Sequence, residues 1–240
     1  MSIDAASGAT PHLGWIVSRT FAVIARRFVG IAVLTLLLVS APDLIIALLP
    51  TSGTSGLNIV SSVLGAFYFG SVALIAYNEL AGEAPIGAQA AFTAAAGRFG
   101  VLFGANILSG LAILGGFLVL ILPGLFLMTA WMPLTAVVVV ERLGVTQSLG
   151  RAWRLTQGYR WMLGGLLAVY IVGVLLLFSL LTLAVGLTEA SPALRILPTL
   201  FAALISAVAY GIGGVGSAVA YVALRRAKDG IVSEIASVFA

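Results

Sequence analysis

Asp43, Asn106 and Glu141 are polar residues set inside or at the ends of long apolar runs. A polar group in that setting marks a proton or cation path, a substrate contact or an interhelical hydrogen bond. Asp43 poses the question most sharply, because a carboxylate at the centre of a membrane helix costs about 2.5–3.5 kcal/mol to insert. It follows Pro42, so Ser40-Ala41-Pro42-Asp43 also reads as the start of a new helical segment near the outer interface. Asp43 would then sit in a first helical turn, where an acid is well placed and proline does no harm. A cation path would need a partner for it, and the apolar runs contain no lysine or arginine to serve.

Other chemistries are poorly supplied. The chain has no cysteine and one histidine, His12, so thiolate metal sites and imidazole-based acid–base pairs are not expected. It lacks a glycine-rich phosphate loop, a zinc-protease motif and a dinucleotide fingerprint. We therefore expect no enzyme activity, no metal, no cofactor and no nucleic-acid partner.

A second kind of candidate is interfacial. Val145–Gly158 reads VTQSLGRAWRLTQG, with Val145, Leu149, Ala152 and Trp153 on one helical face and Gln147, Arg151, Arg154 and Gln157 opposite. Such a helix suits the membrane–water boundary: Leu149 and Trp153 would enter the acyl layer while Arg151 and Arg154 meet lipid phosphates. Glu141 and Arg142 would fix its entry. The competing reading is a helix that simply packs on the spans.

The elements that must position these residues are membrane helices. Hydrophobic residues make up 61% of the chain and charged ones 8%, whereas a soluble domain carries roughly 25% charge. About 20 apolar residues cross the hydrocarbon core. The candidate spans are Phe28–Leu49, Leu57–Leu80, Phe99–Leu122, Leu125–Val140, Trp161–Leu187 and Ile196–Leu224. The third and fourth share one apolar stretch, divided at Pro123-Gly124, which reads as a tight hairpin. The fourth is then short for a crossing, and a re-entrant hairpin is the alternative. No cleavable leader is expected, since the first apolar run is too long for one.

Charge sets the orientation. With six spans, all twelve basic residues except Arg195 fall on one side, so that side and both termini are expected in the cytoplasm. The expected organisation is a cytoplasmic N-terminal segment with an interfacial helix (1–27), a six-span membrane domain (28–224) and a cytoplasmic tail (225–240), in the inner or plasma membrane. Within the domain, an aromatic, a basic break and a second aromatic recur before spans one, three and five, at Phe21–Phe28, Phe92–Phe99 and Trp153–Trp161. That spacing suggests a unit of short helix plus helical hairpin used three times. Small residues four apart, at Gly100/Gly104, Ser62/Ala66/Gly70 and Ala209/Gly213/Ser217, suggest close helix packing inside the bundle.

The stretch Leu122–Trp161 carries Pro123-Gly124, Trp131, Pro133, Glu141, Gly144 and the run Leu149-Gly150-Arg151-Ala152-Trp153-Arg154-Leu155-Thr156-Gln157-Gly158. It resembles the membrane domain attached to some glycerophosphoryl diester phosphodiesterases, and stand-alone members of that family. It departs from the family at Ala130, where the pattern usually has arginine before the aromatic. The resemblance implies a membrane module without the diesterase reaction, which belongs to a separate soluble barrel domain. The expected function is a non-enzymatic, lipid-interacting or envelope-organising module. The alternative is a transporter or lipid translocator with a path between repeats. Membrane lipids are the expected partners, together with a membrane protein or a second copy of the chain.

Overall fold

The computed structural model describes residues 12–48, 55–186 and 196–238. Arg195, Leu49, Leu187 and residues 1–11 of the N-terminal segment lie outside them. The described chain is all-α: α1 (Leu13–Arg26), α2 (Phe28–Thr35), a π-helical turn (Leu36–Ser40), α3 (Ala41–Leu48), α4 (Ser55–Ala81), α5 (Ala88–Ala96), α6 (Phe99–Val119), α7 (Ile121–Trp131), α8 (Leu134–Val140), α9 (Val145–Thr156), α10 (Arg160–Gly186) and α11 (Ile196–Val238). Six segments are long and apolar enough to cross a membrane: Phe28–Ile46, Ile59–Ala81, Phe99–Val119, Ile121–Val140, Arg160–Leu180 and Leu200–Asp229. The protein is a polytopic helical membrane protein.

Pro42 does not break the first span. A proline inside a helix removes one backbone donor and crowds the carbonyl four residues back. The chain absorbs this by widening to π geometry over Leu36–Ser40, and Ala41 stays helical at φ −67°, ψ −47°. Asp43 is in the first turn of α3, but α3 continues the π turn without a break, so Asp43 lies within one helical run rather than at the start of a new segment.

The hairpin between spans three and four turns at Leu120, ahead of the expected Pro123-Gly124. Leu120 is the extended residue (φ −163°, ψ 156°), and Pro123-Gly124 lies inside the first turns of α7. Proline is tolerated there because the first helical N–H groups have no intrahelical acceptor anyway. Gly124 serves packing instead: a Cβ on it would fall 2.5 Å from the Phe117 ring, and one on Gly116 would lie 3.0 Å from the Gly124 backbone. With the turn moved, the fourth segment has 20 residues, and its shortness disappears.

The centre of the bundle is built from α4, α8 and α11. Tyr68 and Val72, Val137 and Val138, and Val215 and Val219 are fully buried there. Small residues set the approach: Gly70 lies against Ala95 and Val139, and Gly214 against Tyr68. Around this centre α6 and α10 expose large apolar side chains, including Leu118 at 80% and Val169 at 74%. Water would not tolerate that surface, and lipid does. Among the described residues, a shorter helix precedes a membrane span three times: α1 before Phe28–Ile46, α5 before α6 and α9 before α10. The first two breaks share one backbone shape, at Arg27 (φ −111°, ψ 21°) and Arg98 (φ −111°, ψ 17°).

Candidate functional site

The polar candidates are not gathered into one site. Asp43 Oδ1 accepts a hydrogen bond from Ser61 Oγ at 3.2 Å. Asn106 lies exposed on α6, its Nδ2 donating to its own helix at Leu102 O (2.8 Å). Glu141 belongs to a separate network at the arginine-rich end.

That network ties α9 to α8 and α11. Arg151 Nε donates to both Glu141 oxygens (3.1 and 2.9 Å), and Arg151 NH2 donates to both Asp229 oxygens (3.0 and 2.9 Å). Tyr221 OH donates to Glu141 Oε1 at 3.1 Å. Arg225 donates to Tyr77 OH (3.2 Å) and Tyr221 OH (3.3 Å), and its Nε lies 3.5 Å from Asp229. Burial works against the Arg151 charge, but hydrogen bonds and attraction from Glu141 and Asp229 outweigh it and raise its pKa above the ordinary arginine value. A parallel clamp joins Arg26 and Arg27 to Glu79 at the end of α4.

The roles expected of α9 therefore need correcting. Arg151 is committed to two carboxylates rather than turned towards lipid phosphate. Ser148, Ala152, Leu155 and Thr156 form a buried face, with Leu149 and Trp153 half-buried beside them against the bundle. The apolar face packs on protein beside the α7–α8 break. Thr156 Oγ1 lies within hydrogen-bond distance of the Ala152 and Trp153 carbonyls of its own helix (both 3.1 Å) and of the Ala130 carbonyl just before the break (3.2 Å). Of the four interfacial candidates, Arg154 alone is exposed. Asp229 was not anticipated from sequence, although it is the acid four residues after Arg225.

The stretch that carries the family resemblance interlocks here. Trp131 and Trp153 have ring centroids 6.3 Å apart, and the edge-on pair Phe126–Trp153 is at 5.7 Å. The Arg160 guanidinium lies 4.0 Å from the Trp153 ring centroid and 4.5 Å from that of Phe126. Such contacts stabilise a cation through the ring quadrupole.

A lateral cleft of about 190 Å³ opens between α1, α10 and α11. Val17 and Phe21, Leu167 and Tyr170, and Gly213 and Gly216 line its walls. Its hydroxyls are already used: Thr20 donates to Ile16 O (2.7 Å), Tyr170 to Ala209 O (3.0 Å) and Ser217 to Gly214 O (3.0 Å). The cleft thus offers a guest almost nothing but hydrocarbon. Sequence reasoning marked Gly213 and Ser217 as helix-packing residues and missed the cleft, because α1 supplies one wall from the other end of the chain.

No protein-family model, curated protein or solved structure matches the chain.

Proposed function

We propose that this chain is a non-enzymatic membrane module that holds membrane lipid. It would sit in the inner or plasma membrane with its arginine-rich end in the cytoplasm, where anionic headgroups and the positive-inside bias both favour basic residues. The single observation that carries this reading is the lateral cleft. An open cleft walled almost wholly by apolar side chains, within a lipid-solvated bundle, favours an acyl or isoprenoid chain over water. The resemblance over Leu122–Trp161 supports a membrane module, and the single histidine and absent cysteine favour a non-catalytic role. A transport path is less well supported, since Asp43, Asn106 and Glu141 each keep a separate local partner.

Lipid retention tests this. A Cβ on Gly216 would meet Thr20 at 3.8 Å, an ordinary contact, so a longer side chain there must extend into the cleft. Gly216→Leu should remove lipid that the wild type keeps through gentle detergent extraction, as counted by native mass spectrometry, without loss of thermal stability. Equal lipid retention by both proteins, or none by the wild type, overturns the reading.

A further inference from the structure

The turn between α9 and α10 presents a cation without a counter-charge. Gly158 adopts the left-handed region (φ 86°) and delivers Arg160 to the first position of α10. The ion pairs among the described residues involve Arg26, Arg27, Arg151 and Arg225, and none includes Arg160. Its seat is aromatic instead, between Trp153 and Phe126. Aromatic faces stabilise a guanidinium but do not neutralise it. One of its NH2 groups donates to Trp153 O at a long 3.4 Å. Arg160 Nε and Trp131 Nε1 are sealed from the surface with no acceptor.

The surroundings say which kind of anion fits. Lys228, also outside every ion pair among the described residues, places its ammonium 5.9 Å from the Tyr159 ring centroid in the same turn. Trp161, the next residue after Arg160, is 96% exposed, and Phe126 is 43% exposed. Exposed indole favours the headgroup layer, where one side is apolar and the other wet. Arg160 also opens the apolar span Arg160–Leu180, which places it at the depth of headgroup phosphates. A pocket for a dissolved anion has no use for an apolar rim of this kind.

We infer that the α9–α10 turn binds the phosphate of an anionic membrane lipid, with Arg160 as the principal ligand and Lys228 as a flanking cation. Arginine suits that role because its planar fork matches phosphate oxygens. The inference rests on the lipid-holding reading and adds a headgroup class to it. It also moves the phosphate contact from Arg151, which two carboxylates occupy, to Arg160.

The test uses the full chain in nanodiscs of phosphatidylcholine with a minority of phosphatidylglycerol, reading the ratio of the two lipids retained by native mass spectrometry. The wild type should enrich phosphatidylglycerol over its bulk share, and Arg160→Gln should lower that enrichment about fivefold, the loss expected for one interfacial cation. Arg160→Lys keeps the charge but loses the planar fork and the aromatic seat, so it should fall between wild type and Arg160→Gln, which separates lost charge from lost geometry. Arg154→Gln removes a nearby exposed charge that has no aromatic seat, and should lower the enrichment clearly less than Arg160→Gln does. No enrichment by the wild type, an unchanged Arg160→Gln, or an equal loss in Arg154→Gln overturns the assignment. Displacement of phosphatidylglycerol by millimolar inorganic phosphate would point to a dissolved anion and overturn the lipid source. Gly216→Leu distinguishes this failure from failure of the cleft reading, because it should lower total lipid retained without altering the headgroup ratio.

Discussion

Arg151 holds two carboxylates in nearly identical geometry, and this sets up a controlled comparison. Nε meets both oxygens of Glu141 and NH2 meets both oxygens of Asp229, all at 2.9–3.1 Å. Solvent separates them: the Glu141 side chain is 14% exposed and that of Asp229 is 44% exposed. Exposed pairs contribute about 0–1 kcal/mol, while breaking a buried pair costs about 3–5 kcal/mol. Arg151 itself is 24% exposed, so the Glu141 arm belongs between those limits, at about 1.5–2.5 kcal/mol of coupling. The Asp229 arm should couple by less than about 0.7 kcal/mol and weaken further as salt is raised. Two double-mutant cycles, pairing Arg151→Met with Glu141→Gln and with Asp229→Asn, would measure both arms by reversible unfolding in mixed detergent–SDS micelles. Equal couplings, or a stronger Asp229 arm, would refute the claim that burial rather than contact geometry decides the value of these pairs.

Gly124→Ala should destabilise the protein by about 1–3 kcal/mol in the same unfolding assay, because the added carbon meets the Phe117 ring at 2.5 Å. Wild-type stability in that variant would mean that α6 and α7 do not approach this closely. The chain has no native cysteine, so single-cysteine labelling is unambiguous. A six-span arrangement expects Leu120→Cys to react with a membrane-impermeant maleimide from the face opposite Gly144→Cys; silence at position 120 from both faces would place the hairpin tip inside the hydrocarbon.

The spans were legible because lipid asks only for length and apolarity, and Phe99–Val119 or Arg160–Leu180 satisfies both without help from the rest of the fold. The hairpin turn was not, because Pro123-Gly124 carries the same residues whether it makes a turn or opens a helix. What decides between those uses is the Phe117 ring across the gap, which sequence spacing does not reveal. Periodicity likewise exposed the two faces of α9 but not what covers them. An apolar stripe suited to lipid looks the same as one suited to the carbonyl and aromatic surface left by the break at Pro133. Arg151 shows the same limit for charge. Its partner Asp229 stands 78 residues away and becomes a neighbour only through the packing of α11.

The central position of α11 couples parts of the molecule that lie far apart in the chain. Thr20 of α1 rests beside Gly216, and Tyr68 of α4 rests against Gly214. A substitution that shifts α11 would therefore be felt at α1 and α4 together, although neither is its neighbour in sequence.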